Sequence, residues 1–157
     1  MINPYILLLV LSFTVFSFAR SGEPSKTFQA EDVFELEYAN DPRISPDGKY
    51  IVYERRSSNI MTDSMRSNIW IIKSDGTQNR PLVSGNTHAA TPRWSPNADR
   101  LVYLQTVKDG TEIIVRWMDT GQTARIVKLR FSPSSITWSP DGYWLAFTMP
   151  VKAESDP

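Results

Sequence analysis

Cysteine is absent from the 157 residues, so neither disulfides nor thiolate metal sites contribute to this chain. Histidine occurs once, as His88, in the polar stretch Gly85-Asn86-Thr87-His88-Ala89. A serine triad needs a serine, a base and an orienting acid brought together by the fold. The Gly-x-Ser-x-Gly elbow that exposes such a serine is missing. His88 is therefore read as a solvated linker residue, and no catalytic residue is assigned. No His, Asp or Glu spacing suggests zinc, and no glycine-rich phosphate loop follows a strand, so neither a metal nor a cofactor is expected. Net charge is lacking as well: 17 Lys and Arg balance 17 Asp and Glu. No long-range field steers nucleic acid or an anionic membrane surface to the chain.

A membrane-length apolar run is also missing. The stretch Tyr5 to Phe18 falls short of the roughly 20 residues that cross a bilayer. It ends in Ser17-Phe18-Ala19, with small Ser17 and Ala19 at the positions a signal peptidase reads, and Arg20 to Ser25 then turns polar. Residues 1–19 are read as a secretory signal peptide, although no Lys or Arg precedes the apolar stretch. An uncleaved membrane anchor is the alternative. On either reading the rest is exported, to the periplasm or beyond, and cleavage leaves no membrane contact.

What the chain does have is a repeat. Pro42-Arg43-Ile44-Ser45-Pro46-Asp47-Gly48-Lys49-Tyr50-Ile51-Val52-Tyr53 returns as Pro92-Arg93-Trp94-Ser95-Pro96-Asn97-Ala98-Asp99-Arg100-Leu101-Val102-Tyr103. It returns again as Ile136-Thr137-Trp138-Ser139-Pro140-Asp141-Gly142-Tyr143-Trp144-Leu145-Ala146-Phe147. The serines are 50 and then 44 residues apart. A period of about 40–50 residues built from short strands is the mark of a β-propeller.

The unit has a physical logic. Proline presets φ, Asp tolerates the third turn position, and Gly takes the left-handed conformation that closes the turn. Apolar residues on both sides make it a hairpin. The middle copy has Asn97-Ala98 in place of Asp-Gly, so a local adjustment of that turn is expected. The strand after each turn is apolar on both faces, as in Ile51-Val52-Tyr53, which fits a sheet sandwiched between two neighbours.

The remaining segments fall into place around this unit. Residues 20–39 form a leader, with one or two helical turns expected over Phe28 to Tyr38. Residues 40–157 form an incomplete all-β propeller: blades at about 40–84 and 91–130, and part of a third at 135–157. Arg55 to Ser67 is the longest insertion and is expected to be a solvated loop. Pro81 places its strand on an edge, since proline cannot donate to a ladder. Trp70, Trp94, Trp117 and Trp138 are expected in the core, with Trp144 partly exposed. Closed propellers typically have 4–8 blades, so an amino-terminal piece of something longer is expected.

Glu31-Asp32-Val33-Phe34, then Asp41-Pro42-Arg43-Ile44-Ser45-Pro46-Asp47-Gly48, then Ser67-Asn68-Ile69-Trp70-Ile71-Ile72 and Asp75-Gly76 occur in that order. This order resembles the start of exported prolyl oligopeptidase-family serine peptidases, especially the acylaminoacyl-peptidase and dipeptidyl-peptidase-like branches. The resemblance covers about Glu31 to Met149. It implies a propeller that gates short peptides into a carboxy-terminal α/β-hydrolase domain. No position matches that domain's catalytic motif, so no catalytic residue carries over and this chain alone is expected to be inactive. The implied partners are the missing hydrolase domain and an oligopeptide substrate. Tol-type periplasmic propellers share the Ser-Pro-Asp-Gly repeat, so a protein- or glycan-binding scaffold is the alternative.

Overall fold

The computed structural model describes residues 27, 29, 32, 35–59, 64–85 and 87–151. The signal segment 1–19, most of the leader, and residues 152–157 lie outside the described residues. Among the described residues ten strands form three antiparallel sheets. The first holds β1 (Glu37–Ile44), β2 (Tyr50–Asn59), β3 (Ser64–Lys73) and β4 (Arg80–Val83) in sequence order. The second holds β5 (His88–Trp94), β6 (Arg100–Val107), β7 (Gly110–Trp117) and β8 (Thr123–Leu129), again in order. The third pairs β9 (Ser134–Trp138) with β10 (Leu145–Thr148). The fold is an all-β, unclosed array of propeller blades.

The turns at the head of each sheet keep one backbone. Gly48, Ala98 and Gly142 donate their N–H groups to the oxygens of Ser45, Ser95 and Ser139 at 2.8, 3.0 and 2.9 Å. All three have φ between 58° and 74°. The adjustment expected for the middle turn is therefore not in the backbone: Ala98 accepts the left-handed conformation. It lies in the side chains instead. Ser45 and Ser139 donate to Asp47 and Asp141, two residues on, at 2.6 and 2.5 Å. Ser95 reaches four residues on to Asp99, at 2.6 Å. Each serine Oγ also accepts the N–H that opens the next strand, from Tyr50, Arg100 or Trp144. These hydroxyls hold all three aspartate carboxyls below their usual range, helped in Asp47 and Asp141 by a following main-chain N–H.

A second repeated feature sits in the first strand of each sheet. Asp41, Thr91 and Ser135 have φ of 48°, 57° and 53°, at the same spacing as the turn serines. All three mark β-bulges: the register slips between Asn40 and Arg43, between Ala90 and Arg93, and opposite Ala146 to Thr148 in the third sheet. Bulges re-aim side chains and bend a strand. Aspartate visits this region with little strain, whereas β-branched Thr91 is held there against its preference. What holds it is Glu54, a carboxylate only 2% exposed, which accepts the Thr91 N–H at 2.8 Å.

The core lies between sheets rather than within one. Val52, Ile69 and Ile71 of the first sheet pack against Ala89, Leu101, Tyr103 and Ile114 of the second. On the other face of the second sheet, Val102, Leu104, Ile113 and Val115 pack with Ile136 of the third. Successive residues of β6 thus serve opposite cores, as alternation along a strand requires. Each Val, Leu or Ile among them contributes about 1.5–3 kcal/mol by leaving water.

Two expectations change. Arg55 to Ser67 is mostly ladder, not loop: β2 and β3 stay paired out to Ser57↔Arg66, Ser58↔Met65 and Asn59↔Ser64. Polar side chains do not stop a strand whose main chain has a partner in register. Only residues 60–63, at the tip, lie outside the described residues. The leader's end is also strand, since β1 starts at Glu37 and Tyr38 lies opposite Arg56. The long β2 supplies that partner, and Glu37 pairs with Arg55, which stacks on Trp70 at 4.2 Å. Of the expected helix, the described part is a 3-10 turn at Asp32 and Glu35.

Candidate functional site

The first strands of successive blades meet: β1 packs against β5, which also touches β2 and β3, and β5 packs against β9. In a propeller, blades are arranged around a central channel, and these strands line it. The repeat places Arg43, Arg93 and Thr137 at one level of these strands, two residues past the positive-φ positions. Next to them in sequence stand Ile44, Trp94 and Trp138. The Trp94 indole Nε1 donates to the Arg43 oxygen at 3.1 Å, and Trp138 Nε1 to the Arg93 oxygen at 3.0 Å. Each blade thus ties the backbone of the one before it. Ile44, at the same position in the first blade, is 67% exposed.

A groove of about 340 Å³ runs across the three Ser-Pro turns at this level. Arg43, Arg93, Trp94, Trp138 and Thr137 are among its walls. Behind the arginines lies Asp41, which pairs with Arg43 Nη2 at 2.5 Å and Arg93 Nη1 at 2.6 Å. Asp41 is thus shared by two guanidiniums from adjacent blades. Deeper between these blades, Glu54 accepts from Asn40 Nδ2, from Arg56 Nε and Nη2, and from the Thr91 N–H. Burial alone would raise the Glu54 carboxyl; these donors outweigh it and leave it below its usual value. Glu54 therefore stays charged and structural.

A second cleft, of about 320 Å³, opens between the second and third sheets. Ile113, Val115, Trp138, Leu145 and Phe147 make it apolar, and Tyr143 and Trp144 stand at its edge, 82% and 73% exposed. Arg100 stacks over the Trp138 ring at 5.0 Å beside it. The edge of β10 that faces away from β9 has no partner strand among the described residues.

The residues singled out in the sequence are scattered. His88 is the exposed first residue of β5, opposite Thr106, rather than part of a linker. No serine or acid approaches it within hydrogen-bond reach among the described residues. Asp75 caps its own turn through the Thr77 N–H and hydroxyl. Trp70, Trp94 and Trp138 are half-buried and Trp144 is exposed, but Trp117 is 38% exposed and lies on the wall of the apolar cleft rather than in the core. Among the described residues no three His, Asp or Glu side chains group closely enough to hold a metal ion. The Asp41–Arg43–Arg93 cluster is not among the residues the sequence singles out. Its signal was the Pro-Arg pair that precedes both of the first two Ser-Pro turns. Nothing in the sequence marked Glu54.

No protein-family model matches the chain. Among curated proteins it is 27% identical over 125 residues to an uncharacterized peptidase, YuxL, of Bacillus subtilis, covering 79% of this chain and 19% of that protein. It is 23% identical over 113 residues to dipeptidyl-peptidase 5 of Porphyromonas endodontalis, covering 72% and 16%. The chain thus spans less than a fifth of the length of these relatives. Among solved structures it superposes on the β-propeller domain of the Trilobed protease of Pyrococcus furiosus with a TM-score of 0.60 at 22% identity, covering 72% of this chain and 34% of that one. Acylaminoacyl peptidase of Pyrococcus horikoshii gives 0.63 at 18% identity, over 72% and 17%. A putative TolB of Agrobacterium tumefaciens gives 0.51 at 23% identity, over 72% and 43%. The chain is related in sequence to parts of larger peptidases, and it shares its fold with the propellers of such proteases.

Proposed function

We propose that this chain is the amino-terminal propeller portion of an exported serine peptidase of the prolyl oligopeptidase type. On this reading the propeller screens short peptides before they reach an α/β-hydrolase domain encoded after Pro157. The observation that carries it is the sequence relationship to peptidases over 79% of this chain but only 19% of the relative. The groove across the Ser-Pro turns, at the level where propeller blades surround a channel, gives such peptides a route. Residues 1–19 serve as the export signal, 20–39 as the leader, and the chain by itself hydrolyses nothing.

The coding DNA immediately downstream of Pro157 tests this. The expected result is an open frame running through further blades to a Gly-x-Ser-x-Gly elbow, then Asp, then His, in the order of α/β-hydrolases. A frame that adds blades and stops would overturn it. That outcome would favour a periplasmic scaffold holding a protein or glycan, which the fold likeness to the putative TolB supports. Peptide hydrolysis by the 157-residue chain, abolished by a serine-directed inhibitor, would also contradict the reading.

A further inference from the structure

Arg43 and Arg93 occupy one repeat position in adjacent blades and both line one groove. Among the described residues, Asp41 is the sole carboxylate paired with either of them. Arg93 Nη1 spends a further donor on the Pro92 oxygen, at 2.7 Å. Each guanidinium carries five N–H donors. One carboxylate has two oxygens, so most donors of the pair remain unspent and the cluster keeps one excess positive charge. Asp41 is the least exposed of the three, with its side chain at 18%, against 24% for Arg93 and 46% for Arg43. Both arginines are among the groove's walls and Asp41 is not, so the negative member sits behind them. The Trp94 and Trp138 indoles tie the arginines' own carbonyls across the blade junctions, so both are fixed by backbone contacts. Thr137 and Ser139 complete the polar side of the wall.

We infer that this arginine pair is a carboxylate-binding site, and that it selects short peptides by a free carboxylate group, at the C-terminus or on an acidic side chain. Paired, planar guanidiniums match a carboxylate's two oxygens and hold it by charge-assisted hydrogen bonds. An incoming carboxylate takes the unspent donors on the groove side while Asp41 keeps those behind. Asp41 thus acts as an internal competitor that sets how strongly the pair holds its ligand. The inference rests on the peptide-route reading above and adds to it a chemical preference.

Titration of the full chain with N-acetyl-trialanine and its carboxamide distinguishes the two ideas. The indole N–H resonances of Trp94 and Trp138 report on the groove, each identified by its Trp→Phe variant. The acid is expected to bind about fivefold tighter than the amide. Arg43→Gln, at the more exposed arginine, is expected to erase that difference. Asp41→Asn is expected to tighten the acid about fivefold, because it frees both guanidiniums. A purely structural role for the cluster predicts weaker binding in that variant. Equal binding of acid and amide to the parent chain would overturn the carboxylate preference and leave the peptide route standing. Shifts with acetate but with neither peptide would leave the arginine site standing and count against the peptide route. Loss of acid binding in Asp41→Asn, with an unchanged fold by circular dichroism, would overturn the site.

Discussion

Thr91 donates its main-chain N–H to Oε1 of Glu54 at 2.8 Å, across the junction of the first two blades. The bulge frees that N–H from its own ladder, and the strand opposite supplies a buried carboxylate to receive it. One residue is strained so that two sheets are joined at a fixed point. Arg56 and Asn40 complete the shell, so the charge is neither unpaired nor exposed.

Replacing Glu54 with Gln puts an amide donor where donors already converge. The expected loss is about 2–3 kcal/mol at neutral pH, the worth of hydrogen bonds to a buried charged group. The loss depends on pH. The folded carboxyl titrates below its ordinary value of 4.5, so its stabilisation is complete above that value. It is lost as pH falls through the lower, folded value. Urea unfolding of the parent and Glu54→Gln at a series of pH values from 7 to 3 checks this. The gap between the two is expected to close toward the acid end.

Ala98 is left-handed at φ 58° in a turn whose sister positions are glycine. Ala98→Gly is expected to raise stability by about 0.5–1 kcal/mol, the relief of strain exceeding the added freedom of the unfolded chain. Gly48→Ala runs the other way. An added Cβ there meets nothing within 4 Å, so its cost of about 1 kcal/mol is conformational alone. Thermal unfolding of both variants gives opposite shifts if the turns share one backbone.

Gly110 opens β7 at φ 151°, and a Cβ on it would lie 2.2 Å from the Leu129 oxygen. Main chain, not a yielding side chain, occupies the space. Gly110→Ala is expected to cost more than 2 kcal/mol and to loosen the β7–β8 pairing at Thr111↔Leu129. Hydrogen exchange at the β8 amides, faster in the variant than in the parent, is the readout.

Tyr143 and Trp144 stand exposed beside the edge of β10 that has no partner strand among the described residues. An apolar patch next to an open strand edge invites self-association. The parent chain is expected to associate with rising concentration, and Trp144→Lys to reduce this markedly. Sedimentation velocity at several concentrations checks it; a parent that stays monomeric throughout contradicts it.

The architecture was legible because its signals are local. The Ser-Pro turns, the doubly apolar strands such as Leu101-Val102-Tyr103, and the edge proline Pro81 each carry their structure in a few consecutive residues. The extent of β2 and β3 was not legible. Arg55 to Ser67 is polar, and its ladder comes from the register of the opposing main chain rather than from its side chains. The bulges escaped for a related reason. Asp41, Thr91 and Ser135 share no residue type and include no glycine, so only the folded backbone exposes the common φ. The arginine cluster joins Asp41 and Arg93 across 52 positions of sequence, a contact that no pattern within one repeat predicts.

Each of the two complete sheets is a meander, so every strand finds its partner in its immediate predecessor. Such pairing closes only short loops and keeps contact order low for an all-β protein. The first blade needs nothing beyond Val83 to complete its ladder. It can therefore zip up before the second is complete, and then offer Val52, Ile69 and Ile71 as a template for β5 and β6. Such an array is suited to vectorial assembly, each blade built on the face of the one before it.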